Sequence, residues 1–350
     1  MLNLLLMANL LVSAGPKTSF IIKGIPLLSY SSQTGVGYGL RIGLYTYEPG
    51  EKEYKWNIYG QFFKTTGGVQ KHRIFFDYKS PLRVTLTAEY NKALYENYYP
   101  DSISFDVPMG DTFYTYIHTN MFFRGVARYG IGFIMLESQN HSIKMRSNSA
   151  LDSVRPYGIE GGRINGLQGG IFFDRRDYEG DPTEGYVFEL SYGLWFGKDY
   201  RFTTLFASAR GYISFLKDRI TLASRIAYSV LPQKDVPFFA YGWNYSIQPF
   251  EGLGGRNSVR GYPTFYHMSS NKFVVNNELR FRMLSFNFLN SEWTVGSVLG
   301  IDAGMSKYGK SITGFVGGLR VMWGRDFIIA LDYGKSSEFS TLDITFDHAF

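Results

Sequence analysis

Hydrophobic and polar residues alternate along most of this chain. In "YVFELSYGLWF", Tyr186, Phe188, Leu190, Tyr192, Leu194 and Phe196 fall on one side, and Val187, Glu189, Ser191 and Gly193 on the other. A period of two is the signature of a β-strand whose faces meet different surroundings. The same pattern runs through "VGYGLRIGLYTY", "FVVNNELRFRM" and "FIIALDYG". Strands of soluble sandwiches are usually about five or six residues long. These runs extend to about nine to twelve, the length a tilted strand needs to cross a bilayer. Tyr and Trp gather near their ends, as an interfacial girdle requires. Such segments begin near Lys17, Val36, Tyr54, Val69, Arg83, Thr112, Ala127, Gly162, Tyr186, Arg201, Arg219, Phe273, Trp293, Gly314, Phe327 and Ser340. About sixteen strands are therefore expected, an even number that leaves both ends of the barrel on one side, the periplasm. Long connections near 91–111, 136–161 and 230–272 read mostly as outer loops. An open sheet edge in hydrocarbon would strand backbone groups without partners, so the sheet must close. The expected fold is all-β: one transmembrane antiparallel β-barrel over residues 15–350, with no second domain.

Composition sharpens this picture. Aromatic residues make up 18% of the 350 residues and charged residues only 19%, below the roughly 25% of soluble domains. There is no cysteine, which excludes disulfides and thiolate metal sites. The net charge of +6 is spread along the chain, without the basic arm that nucleic-acid binding calls for. No apolar run is long enough for a transmembrane helix, since Leu2–Val12 is interrupted by Asn3 and Asn9. Residues 1–14, "MLNLLLMANLLVSA", read instead as a signal peptide ending at a small residue. The other reading of this segment is a hydrophobic N-terminal strand.

One stretch does not alternate. "FEGLGGRNSVRGYPTFYHM", Phe250–Met268, sits in a connection too long to be an ordinary turn. It contains Val259, Arg260, Gly261 and Tyr262. An arginine inside a narrow lumen keeps its charge and needs carboxylates beside it. Period-two counting turns Glu278 and Asp302 inward on neighbouring strands, so Arg260 is expected to bridge them and hold the loop inside. Gly296, Gly300, Gly314 and Gly318 would leave room along the wall. Gly261 permits a tight backbone, and Tyr262 would pack as an apolar plug. The alternative is a solvated surface arginine in a turn.

These residues resemble the BamA/TamA superfamily of outer-membrane assembly and translocation barrels, in which the connection before the twelfth strand carries a (V/I)RG(F/Y) motif and folds into the lumen. "FFDRRDYEGDPTEGYVFELSY" and "GLRVMWGRDFIIALDYG" are similar to two further segments of that family. The likeness covers about residues 160–350 by motif and the first half by architecture. It implies an integral barrel of the bacterial outer membrane that aids insertion or translocation of proteins or lipids through a lateral seam between its first and last strands. Partners would be outer-membrane lipids, client barrel proteins and separate periplasmic or outer-membrane proteins, because family members that handle proteins usually carry POTRA domains ahead of the barrel and here strand one follows the signal almost directly.

The residues add local support for a seam. Gly24 and Pro26 lie in the first strand, where proline cannot donate to a ladder and is confined to edges. Alternatively Pro26 simply begins that strand. At the other end, Leu342, Ile344, Phe346 and Phe350 are expected on one face of the last strand, a terminal aromatic being similar to an outer-membrane barrel signal. Gly24, Pro26, Phe346 and Phe350 are thus the seam candidates. Two other readings stand: a passive channel, favoured for anions by inward Arg41, Arg73, Arg124, Arg210, Arg225, Arg280, Arg282 and Arg320, or a structural barrel subunit of a surface complex. An enzyme is not expected, since His72, His118, His141, His267 and His348 are scattered and neither GxSxG nor HExxH occurs. No cofactor or metal spacing is visible. Mass spectrometry of the protein recovered from outer membranes is expected to find Gly15 as its first residue; an intact Met1 or Leu2 would show that residues 1–14 are retained.

Overall fold

The computed structural model describes residues 9–13, 19–48, 54–95, 99–100, 116–145, 155–288, 291–306, 311–323, 327–346 and 348–350. Sixteen antiparallel strands close into one barrel: β1 (Ser19–Ser31), β2 (Gly35–Tyr47), β3 (Tyr54–Thr65), β4 (Gln70–Tyr78), β5 (Leu82–Tyr95), β6 (Tyr116–Tyr129), β7 (Gly132–Met145), β8 (Gly162–Asp174), β9 (Gly185–Gly197), β10 (Arg201–Phe215), β11 (Ile220–Val230), β12 (Asn271–Phe288), β13 (Ser291–Ser306), β14 (Ser311–Trp323), β15 (Phe327–Ser336) and β16 (Ser340–Phe346). Each pairs with its sequence neighbours, and β16 returns to β1. The expected starts agree closely except at β7. It begins at Gly132 rather than Ala127 because β6 runs on to Tyr129 and turns over Gly130, which has a φ of 56°. The expected starts at Lys17 and Thr112, residues 1–8 and Ala14 of the signal segment, and much of the first two long outer loops lie outside the described residues.

The alternation is realised as an outer and an inner face. On β9, Tyr186, Phe188, Leu190, Tyr192, Leu194 and Phe196 are all exposed to the surroundings, whereas Val187, Glu189, Ser191 and Trp195 are buried. At the rim shared by the start of β1 and the end of β16, here the terminal rim, Trp293 stacks on Trp323 at 5.7 Å and Phe327 meets Phe346 at 5.3 Å. This is the aromatic girdle expected where strands leave hydrocarbon.

The terminal rim is partly covered by the β8–β9 connection. Asp177 accepts hydrogen bonds from the Thr183 and Glu184 amides at 2.9 and 3.1 Å and from the Thr183 hydroxyl at 2.9 Å. Gly185 closes this turn at φ 101°, where an added Cβ would lie 2.0 Å from the Arg175 carbonyl oxygen. Asp181 then reaches His348 at 3.1 Å and Arg282 at 2.5 Å.

The last residues depart from the expected pattern. β16 ends at Phe346, and Phe350 turns into the lumen instead of continuing the face of Leu342 and Ile344. Its carbonyl oxygen accepts from Arg280 at 2.9 Å, and its ring lies 5.0 Å from Arg225 and 5.5 Å from Arg280. The inward arginines of β11 and β12 offer that ring a cation–π partner that hydrocarbon cannot. Phe350 is therefore packed against β11 and β12 rather than set on the outer face beside the β1 edge. Leu190→Arg, at mid-height on the outer face, is expected to destabilise the barrel by about 2–4 kcal/mol, measured by reversible urea unfolding in lipid vesicles.

Candidate functional site

The connection between β11 and β12, residues 231–270, folds back inside the barrel, and most of it is buried. It carries its own short pairings, Trp243–Asn244 with Phe250–Glu251 and a bridge from Leu253 to His267. Two apolar clusters seat it. Phe238, Phe239, Tyr241 and Tyr245 pack against wall residues that include Tyr116, Met135, Ile164, Trp195 and Phe202. Leu253, Val259, Tyr262 and Tyr266 pack with Phe206, Val274 and Ile312. Tyr262 lies 6.0 Å from the Phe339 ring in the β15–β16 turn.

Arg260 is 2% exposed, so it is not a surface arginine. Its Nε and Nη2 donate to the two Asp302 oxygens at 2.7 and 3.0 Å, and its Nη1 donates to Glu278 at 2.5 Å. Its backbone amide also donates to Asp302, at 3.1 Å. Burial opposes the guanidinium charge, but Asp302 and Glu278 hold its pKa well above the ordinary value. Glu278 in turn accepts from Arg280 at 2.9 Å, and Asp302 accepts from the Asn276 amide at 2.8 Å. A buried charge pair stripped of one partner typically costs about 3–5 kcal/mol, so this cluster is a strong local constraint on the loop.

Missing side chains make the close approach possible. A Cβ on Gly314 would stand 1.9 Å from the Arg260 carbonyl oxygen, and one on Gly334 2.4 Å from the Gly261 amide nitrogen. Gly300 faces Arg260 and Gly304 faces Val259. Of the glycines chosen from sequence, Gly300 and Gly314 touch the loop, while Gly296 and Gly318 face Phe281 and Asp332. Gly304 and Gly334 also receive the loop, and each shares the inward parity of Asp302 or Asp332. Gly261 has a φ of 91°, and its backbone is held by the Thr341 and Ser336 hydroxyls at 3.2 and 3.0 Å.

Further anchors were not singled out in the sequence. Glu189 accepts the Ile247 amide at 2.7 Å, Gln168 donates to the Tyr245 carbonyl at 3.0 Å, and Lys272 donates to those of Tyr241 and Ser269 at 3.0 and 2.8 Å. Asn276 was legible as an inward polar residue two positions before Glu278. The others needed the path of the loop. Of the scattered histidines, His118 and His141 come together at 2.8 Å beneath the Phe239 ring.

The β1–β16 joint, expected from the sequence to be a seam, is the second candidate element. β1 pairs with β2 over all thirteen of its residues. Among the described residues it pairs with β16 at Tyr30–Ile344 and Ser31–Asp343, followed by a bond from the Ser32 amide to the Leu342 carbonyl at 3.1 Å. At its other end, Ser19–Lys23 pairs on the same edge with a separate N-terminal strand, Asn9–Ser13. Between them Gly24–Ser29 has no strand partner on that edge among the described residues. Gly24 and Pro26 lie in this gap, so Pro26 is interior to β1 rather than at its start. Phe346 ends β16 at the terminal rim, where the Arg256 guanidinium of the loop donates to its carbonyl at 2.7 Å.

Comparison with known proteins adds to this geometry. The sequence matches the Omp85 superfamily domain over residues 28–324. Among solved structures, the chain is similar to BamA from Haemophilus ducreyi lacking POTRA domains 1–3, with a TM-score of 0.58 and 12% identity, covering 94% of this chain and 70% of that one. It is also similar to CdiB from Acinetobacter baumannii, with a TM-score of 0.54 and 15% identity, covering 96% of this chain and 60% of CdiB. At these identities the likeness is one of fold. Among curated protein sequences, none matches this chain.

Gly314→Val is expected to lift the loop from the wall, read as faster PEG-maleimide labelling of a Tyr262→Cys reporter in the cysteine-free chain. Gly317→Val, at a position with open space around it, should leave labelling unchanged. Equal labelling in both would mean that the loop does not depend on this contact.

Proposed function

The chain belongs to the Omp85 superfamily of integral outer-membrane barrels, and we propose that it inserts or translocates polypeptide through the seam between β1 and β16. The observation that carries this reading is the two-pair contact between β16 and β1 in a barrel whose other joints are extensive. Unpaired backbone groups facing hydrocarbon cost several kcal/mol each. An edge such as Gly24–Ser29 is therefore a template for an incoming strand. Pro26 lowers the bonding capacity of the same edge.

In this reading Arg260, Glu278 and Asp302 keep the loop in the lumen while the seam works. The loop blocks free flow of solutes and braces the wall beside the moving joint, since Gly261 and Tyr262 rest on Gly334, Ser336 and Phe339, next to β16. No catalysis is involved: binding a strand edge and releasing it suffices. Client strands, outer-membrane lipids and separate periplasmic proteins that deliver clients are the partners the reading requires.

The absence of cysteine makes a direct test possible. Tyr30→Cys with Ile344→Cys places a thiol pair at one of the two register contacts. In liposomes, the wild-type barrel is expected to accelerate folding of an unfolded test barrel. The oxidised double variant should lose that acceleration and regain it with reductant, and Arg260→Ala should lose it irreversibly. Acceleration that survives an oxidised seam would overturn the proposal. No acceleration in the wild type, with steady ion conductance, would favour a channel or a structural subunit.

A further inference from the structure

Below the held loop, the lumen contains a cavity of about 670 Å³ reaching toward the terminal rim. That volume is within the usual range of small-molecule sites, roughly 300–1,000 Å³. The loop closes it on one side with Ile247, Pro249 and Phe250, and Lys79 and the Tyr178–Pro182 turn lie at the rim. Lysine and arginine dominate its lining, which holds the side-chain carboxylates of Asp77 and Glu179 and the main-chain carboxyl of Phe350, the latter accepting from Arg280.

Many of these cations are already matched. Arg83 binds both Asp77 and Glu179, Arg73 binds Glu89, Arg124 binds Glu137, and Arg176 binds Asp174. Two are not. Arg128 stands directly opposite Arg83 in the β5–β6 register, and Arg210 directly opposite Arg225 in the β10–β11 register. Like charges in such positions repel. Arg128 rests on the Phe172 ring at 4.9 Å, and the buried Nε of Arg210 has no hydrogen-bond partner. Arg225 donates to the Asn276 oxygen at 2.7 Å and stacks on Phe250 at 4.4 Å, neither of which supplies a negative charge. Glu189, buried nearby, gives one oxygen to the Ile247 amide at 2.7 Å; it lies within electrostatic reach of both arginines, but its second oxygen has no hydrogen-bond partner, so it forms no ion pair with either. Two arginine–arginine register pairs thus line one cavity, each with a guanidinium that forms no ion pair among the described residues.

We propose that this vestibule binds a phosphate-bearing anion, with Arg128 and Arg210 as its main contacts. A guanidinium fork matches phosphate oxygens in pairs. A ligand carrying two or more negative charges would neutralise both arginines, which a single carboxylate would not. Such a group could arrive as the headgroup of an anionic phospholipid or as a soluble polyphosphate. The inference does not depend on seam opening.

The probe is inorganic tripolyphosphate, titrated calorimetrically into the folded barrel in a neutral detergent. Saturable binding near one per barrel is expected, weakened about tenfold by either Arg128→Gln or Arg210→Gln. Arg210→Lys should retain part of the affinity, and Arg41→Gln, an inward arginine outside the cavity lining, should retain all of it. Heat-modifiable gel mobility identifies variants that remain folded. Native mass spectrometry with phosphatidylglycerol separates the sources. A bound lipid displaced by tripolyphosphate and lost in Arg210→Gln identifies a headgroup site; tripolyphosphate binding that the lipid does not contest identifies a soluble ligand. Absence of saturable binding of either probe, equal binding by the glutamine variants, or preference for an acidic peptide over tripolyphosphate would overturn the proposal.

Discussion

A backbone amide inside a bilayer has no water to turn to, and this constraint organises the molecule. It requires closure, which sixteen antiparallel strands achieve by pairing each with its neighbours and the last with the first. It also explains why the β1–β16 joint stands out. Where every other bond must be made, a strand edge that β16 holds at one end is the place where the wall is incomplete.

Inside the wall the governing problem is buried charge. The lumen answers it mostly by cross-strand ion pairs: Arg73–Glu89, Arg124–Glu137 and Arg320–Asp332 each link adjacent strands. Arg260 is the case in which the cation comes from a loop, so satisfying Glu278 and Asp302 also fixes the path of the chain. The apolar clusters around Phe238 and Leu253 supply area, but area alone is not directional. The charge cluster and the glycine wall set the register of the loop against β13, β14 and β15. In the vestibule near Arg128 and Arg210 the matching of charges stays incomplete among the described residues.

Held loop and incomplete wall are adjacent. The Gly261–Tyr262 segment bears on the β15–β16 turn, and Arg256 of the same loop bonds to the Phe346 carbonyl at the end of β16. Movement of β16 away from β1 would therefore be felt at the loop, and the loop's anchors on β12–β14 would resist it. This gives the two parts of the site a shared mechanical path without requiring direct contact between Arg260 and the seam.

The sequence by itself determined strand number, parity and the inward charges. Period-two alternation is local and repeats sixteen times, so Tyr186 to Phe196 could be assigned to lipid, and Glu278 and Asp302 to the lumen, from spacing alone. Its reach ended where partners are distant along the chain. The tertiary structure decided that Gly304 and Gly334 receive the loop, that Glu189 and Lys272 hold its backbone, and that His118 meets His141. It also decided that Phe350 leaves the outer face for the arginines of β11 and β12. These outcomes depend on how a long loop and a short tail fill a common lumen, and alternation along one strand carries no information about what will occupy the space it encloses.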